Sequence, residues 1–103
     1  MIDPTAARTD ILDRLAATIA QRSGADPSSS YVAGLLAKGD DAILKKIGEE
    51  ATEVVLAAKS ESDERLAEEA ADLLYHLMVA MAQRKVPFVR VLEVLRARRR
   101  GSR

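Results

Sequence analysis

The chain has no cysteine, which excludes disulfides, thiolate catalysis and cysteine-ligated zinc. Only three residues are aromatic, Tyr31, Tyr75 and Phe88, so any core is built mainly from aliphatic side chains. Neither charge is in excess. Sixteen Lys and Arg balance 16 Asp and Glu, and no global field argues for nucleic acid or an acidic membrane as partner. No apolar run approaches membrane-spanning length and no signal-peptide core is present near the start, so no membrane partner and a cytoplasmic location are expected. Sustained period-two alternation with β-branched residues is also missing, which argues against a sheet.

What is present is a helix-former's palette. Apolar residues make up 48% of 103 residues and are mostly Ala, Leu, Val and Ile, which suits an all-α bundle. The length allows one small domain. A chain this small buries a modest fraction of its surface alone, so some apolar residues are expected to await a second subunit. The acids concentrate between Asp40 and Asp72, whereas residues 96–103 carry five arginines. The expected organisation is a helical domain over 1–95 and a frayed or disordered basic tail over 96–103. Such a tail can follow a nucleic-acid backbone, but a solubilising terminus is the preferred reading.

Five helices follow from caps, breaks and periodicity. Asp3 as cap and Pro4 at the first helical position open a helix running to about Arg22, with Ile11, Leu12, Leu15 and Ile19 at helical spacing. Gly24 stops it. Ser29 or Ser30 caps a short helix from Tyr31 to about Lys38, in which Gly34 is an unexpected residue. Asp40 or Asp41 caps a third helix to about Lys59, with Ile43, Ile47, Ala51, Val54 and Ala58 on one stripe and Leu44 and Val55 beside it. Ser60-Glu61-Ser62 breaks the chain. A fourth helix runs from about Asp63 to Lys85, with Leu66, Ala70, Leu73, Leu77 and Met81 in register, and Pro87 opens a fifth through Val91, Leu92 and Leu95. The third and fourth helices, joined by a short link, are antiparallel neighbours. The fourth is apolar almost all round over residues 73–82, which fits burial from a second side by another subunit; Met78 and Met81 fill core or interface.

The chemistry lies in two acidic strips. At about 100° per residue, Glu50 falls about 80° and Glu53 about 140° from the centre of the third helix's apolar stripe, and Glu49 points nearly away from it. On the fourth helix Glu69 and Asp72 border the stripe on the corresponding side, and Glu68 is turned outward. In an antiparallel pair Glu50, Glu53, Glu69 and Asp72 should therefore converge. Four partly desolvated carboxylates need a cation among them. A hard divalent ion such as Mg²⁺, which takes carboxylates together with substrate phosphates, is one answer and points to phosphoanhydride chemistry. A solvated charged face, with Glu49 paired to Lys45 or Glu53 to Lys46, is the other, and spacing alone leaves the two level. His76 reads as a hydrogen-bonded residue at the core edge rather than a metal ligand. Lys45 and Lys46 are candidates for substrate phosphates, with a plain surface role favoured for Lys45.

The run Ser30-Tyr31-Val32, Lys38-Gly39, Lys45-Lys46-Ile47-Gly48-Glu49-Glu50-Ala51-Thr52-Glu53 and Glu69-Ala70-Ala71-Asp72-Leu73-Leu74-Tyr75-His76 closely resembles the phosphoribosyl-ATP pyrophosphatases, within the wider all-α nucleoside triphosphate pyrophosphatases that include MazG-like proteins. The resemblance spans about Leu12 to Leu95. It implies Mg²⁺-dependent hydrolysis of the α–β phosphoanhydride of phosphoribosyl-ATP by a homodimer, in the second step of histidine biosynthesis. It further implies Mg²⁺ ligation by Glu50, Glu53, Glu69 and Asp72, and phosphate binding by Lys45 and Lys46. Glu50 or Glu53 is then the catalytic residue that orients or deprotonates the water. Two alternatives stand beside it: a house-cleaning (d)NTP pyrophosphatase of the same fold, and a non-catalytic helical dimer that binds nucleic acid through the basic tail.

Overall fold

Cap and turn chemistry divides the described residues into five α-helices: α1 (Pro4–Ser23), α2 (Tyr31–Ala37), α3 (Asp40–Ser60), α4 (Asp63–Gln83) and α5 (Val89–Ala97). They are seen in a computed structural model that describes residues 4–102, with side chains from 11 to 101. The expected cap Asp3 lies outside the described residues. Among those residues there is no strand, and the fold is all-α as the palette predicts.

Ser30 caps α2. Its hydroxyl accepts from the Ala33 amide at 3.2 Å and donates to the Arg22 carbonyl at 3.4 Å, tying the start of α2 to the end of α1. Within the intervening turn Asp26 accepts from the Ser28 amide at 3.0 Å. Ser62 caps α4 by accepting from the Arg65 amide at 3.2 Å.

Three boundaries depart from the sequence expectation. No aspartate caps α3; the cap is Gly39 at φ 99° and ψ 168°, a conformation essentially confined to glycine. Asp40 and Asp41 fall instead in the first turn, where their charge favours the amide-rich end of the helix. α4 stops at Gln83 because Lys85 turns left-handed at φ 58°. The Lys85 amide then reaches the Ala82 carbonyl at 3.0 Å and the Val86 amide the Met81 carbonyl at 2.9 Å, closing the helix end. Pro87 precedes α5 rather than opening it, since Phe88 is the N-cap. Beyond Ala97 the chain continues in a π-type turn, Arg98–Ser102, in which Gly101 leaves helical geometry.

α3 and α4 form the main pairing of the fold. Their ends fix its direction: Gln83 near the end of α4 donates to Asp40 at the start of α3 at 3.0 Å, so the helices are antiparallel. α1 packs on α4 and α2, and α2 also touches α3. The core is small, with Ile19, Val32, Ile43 and Val79 fully buried and Met78 joining them. Each such aliphatic side chain contributes about 1.5–3 kcal/mol by leaving water. Gly34 finds its reason here, because a Cβ at that position would lie 3.0 Å from the Pro27 carbonyl oxygen, against which α2 rests.

The buried faces of α3 and α4 are rotated away from the expected stripes. Leu44, Val55 and Leu77 are exposed, whereas Glu50, Glu69 and His76 are buried. Both helices are apolar on two sides, so a helical wheel averages the face used within the chain with one that is not. The intramolecular face lies toward the acidic strips.

Candidate functional site

The α3–α4 pairing brings Glu50, Glu69 and Asp72 together, with carboxylate oxygens within 4.8 Å of one another. Glu50 and Glu69 are buried at 8% and 6% exposure, and Asp72 is exposed. Two of the three therefore hold their carboxylates where water cannot solvate them freely. Burial pushes the Glu69 carboxyl above the usual glutamate range, the nearby Arg65 opposes this, and the charges of Asp72, Glu50 and Glu53 add to the rise. Glu53, the fourth carboxylate expected here, stands exposed outside the close group, yet its charge still reaches Glu69. Glu49 is exposed, as its wheel position predicts.

Each buried glutamate has a cation one turn earlier on its own helix. Lys46 Nζ lies 3.4 Å from Glu50, and the Arg65 guanidinium lies 2.5 Å from Glu69 while also reaching Glu68 at 3.7 Å. The hydrogen bond to Glu50 and that carboxylate's charge hold the Lys46 ammonium above the usual lysine range, against its own burial. Lys45 is exposed. Arg65 was not singled out from the sequence, although an arginine four residues before a glutamate on a helix is the local signal for such a pair.

The opposite wall is aromatic. His76 is buried at 6% exposure, and both ring nitrogens are engaged. Nδ1 lies 2.7 Å from the Asp72 carbonyl oxygen and Nε2 lies 2.7 Å from the Tyr31 hydroxyl. Tyr31 and Tyr75 meet the imidazole edge to face, with centroids 5.9 Å and 5.5 Å away. His76 thus occupies the hydrogen-bonded role expected of it. Burial raises the Tyr31 phenol above its ordinary range; the Lys46 ammonium opposes this, and Tyr75, Glu50 and Asp72 reinforce it. That pairing across 45 residues left no mark in local spacing. Tyr31 also lines a cavity of about 500 Å³ with Ser28, Ser29 and Lys38.

The donor set is one of hard oxygens, two of them desolvated, with two native cations held in reserve. Such a set can hold a divalent metal, and it can present lysine and arginine to an anionic ligand once a metal takes over the carboxylates.

Comparison with known proteins agrees with this chemistry. A family model described as phosphoribosyl-ATP pyrophosphohydrolase matches residues 12–99. Among curated relatives, a phosphoribosyl-ATP pyrophosphatase of Cereibacter sphaeroides is 52% identical over 88 residues, covering 85% of each chain. One from Novosphingobium aromaticivorans is 54% identical over 93 residues, covering 90% of this chain and 86% of its own. One from Trichlorobacter lovleyi is 58% identical over 77 residues, covering 75% of this chain and 71% of its own. The matched span contains every carboxylate of the site, and the chain belongs to the phosphoribosyl-ATP pyrophosphohydrolase family.

Proposed function

We infer that this chain hydrolyses the α–β phosphoanhydride of phosphoribosyl-ATP to phosphoribosyl-AMP and pyrophosphate, the second step of histidine biosynthesis. The observation that carries the reading is the meeting of Glu50, Glu69 and Asp72 within 4.8 Å in a chain whose relatives bear that enzyme's name.

Mg²⁺ fits the site, because the donors are all carboxylate oxygens and one of them, Glu69, is disfavoured as an anion where it stands. Glu50, Glu69 and Asp72 would hold it, and Glu53 completes the set from its exposed side. When bound, the ion neutralises triphosphate charge and makes a coordinated water more acidic. The chain's own groups do the rest. Glu50 or Glu53 orients the attacking water and takes its proton as the new bond to the α-phosphorus forms. The bond from that phosphorus to the bridging oxygen breaks, and Lys46, with Lys45 further out, meets the charge that develops on the departing pyrophosphate.

The same reading includes a homodimer. Leu44 and Leu77, both exposed, flank an apolar groove of about 660 Å³ between α3 and α4 that also contains Ile47, Ala80 and Met81. A second copy of this face supplies the apolar surface that the small core leaves unmatched. Residues 1–95 are read as the catalytic domain and 96–103 as a basic appendage to it. Among the described residues no helix is long and apolar enough to cross a membrane, and cytoplasmic action is part of the proposal.

The test is pyrophosphate release from phosphoribosyl-ATP by the purified chain, with Mg²⁺ and with a chelator, beside a panel of canonical and damaged dNTPs. Release that needs Mg²⁺ and favours phosphoribosyl-ATP is expected. Preference for a dNTP would assign the chain to nucleotide-pool cleaning instead.

A further inference from the structure

Tyr31 is an anomaly in the fold. Its residue is 55% exposed, yet its hydroxyl is held at 2.7 Å by a histidine that is itself buried. A freely exposed tyrosine would turn its hydroxyl toward water.

The hydrogen-bond inventory fixes which way the proton points. The Asp72 carbonyl oxygen, 2.7 Å from His76 Nδ1, can only accept, so in the neutral ring Nδ1 carries the hydrogen. Nε2 is then bare and accepts from the Tyr31 O–H. The phenol's proton is committed inward, and toward the site its oxygen offers only lone pairs. The edge-to-face contacts of Tyr31 and Tyr75 hold the imidazole plane from two sides. Asp72 thus serves twice, with its carboxylate in the acidic group and its carbonyl anchoring the histidine that sets Tyr31.

An oxygen that can only accept, close to Glu50 and Asp72, repels phosphate oxygens and attracts a neutral donor. Along the substrate of the proposed reaction, the first neutral donors beyond the attacked α-phosphorus are the hydroxyls of the ribose it esterifies. Tyr31 also lines a cavity of about 500 Å³ with Ser28, Ser29 and Lys38, which offers space for that sugar on the other side of the ring. We propose that Tyr31 is a substrate-contacting residue, oriented by His76, whose oxygen accepts a hydrogen bond from a hydroxyl of the adenosine ribose. The proposal rests on the reaction inferred above, and it makes His76 a positioning residue.

The experiment compares kcat and KM of the full chain and its Tyr31→Phe and His76→Leu variants. The substrates are phosphoribosyl-ATP and its analogues lacking the adenosine 2′- or 3′-hydroxyl. Thermal melts of each variant check folding. Tyr31→Phe should raise KM for phosphoribosyl-ATP by about tenfold and leave kcat within about twofold. For one deoxy analogue the unaltered chain should show a similar KM rise, with no further rise on adding Tyr31→Phe. His76→Leu should raise KM in the same direction, and the double variant should be no worse than Tyr31→Phe alone. A folded Tyr31→Phe variant with unchanged KM overturns the proposal. So does an equal penalty on the parent substrate and both deoxy analogues, which would make Tyr31 structural or a contact to another part of the nucleotide. Should the unaltered chain release no pyrophosphate from phosphoribosyl-ATP, the reaction reading fails and takes this inference with it; a turning-over chain with an indifferent Tyr31 fails the inference alone.

Discussion

Glu50 on α3 and Glu69 on α4 are buried carboxylates on facing helices, and each is met by a cation four residues before it, Lys46 and Arg65. The two buried charges are each paired from their own helix, and Asp72 adds a further negative charge to the group. A metal entering it competes with those side chains for the same oxygens.

That competition makes Arg65 informative. Arg65→Gln leaves Glu69 buried without its ion pair, so melting without divalent metal should fall, by about 3 °C given how exposed the guanidinium is. Saturating Mg²⁺ should close most of the gap, because the ion then supplies the missing positive charge. Differential scanning fluorimetry with and without Mg²⁺ measures both. A deficit that Mg²⁺ leaves untouched would place Arg65 outside the metal site.

Glu50 and Glu53 should separate kinetically. Glu50→Gln removes a buried member of the close group, so Mg²⁺ half-saturation should rise at least about tenfold and kcat fall about a hundredfold. Glu53→Gln acts from the exposed edge, with a similar loss in kcat and a smaller rise in half-saturation. Full turnover with unchanged Mg²⁺ dependence in Glu53→Gln would remove Glu53 from the site.

Gly39 carries the entry to α3. Alanine there must adopt a backbone conformation it strongly disfavours, at φ 99° and ψ 168°, and Gly39→Ala should cost about 2 kcal/mol in urea unfolding. Open space around that position means the loss comes from the backbone and not from a clash.

For the proposed dimer, Leu77→Glu places a charge on the apolar groove between α3 and α4. Association should weaken by about a hundredfold or more, read as the shift from dimer to monomer mass in light scattering. An unchanged mass would move the interface elsewhere.

The helices were legible because their punctuation is local. Ser30 caps α2, one of the two serines expected there, Gly24 falls between elements, and of the expected 60–62 break Glu61 and Ser62 separate α3 from α4 while Ser60 ends α3. The antiparallel α3–α4 register follows from a link too short for anything else, and it brings three of the four expected carboxylates together. What was not legible depends on packing. The wheel could not tell the face that Ile43 and Val79 bury from the one that Leu44 and Leu77 expose, since both are apolar. It therefore set Glu50 and Glu69 at a border when they lie inside. Lys85 ending α4 in a left-handed turn has no propensity signal, and the Tyr31–His76 contact spans 45 residues.

The two-residue link between α3 and α4 also bears on how the site comes into being. Glu50 and Asp72 meet across a helical hairpin, so the acidic group assembles from contacts between near neighbours in the chain and needs no distant segment to close over it. Loop closure of that kind is quick, and the repulsion among the carboxylates arises as soon as the hairpin docks. A divalent cation present at that moment would lower the barrier as well as stabilise the product, so the folding rate itself should carry the signature of the metal.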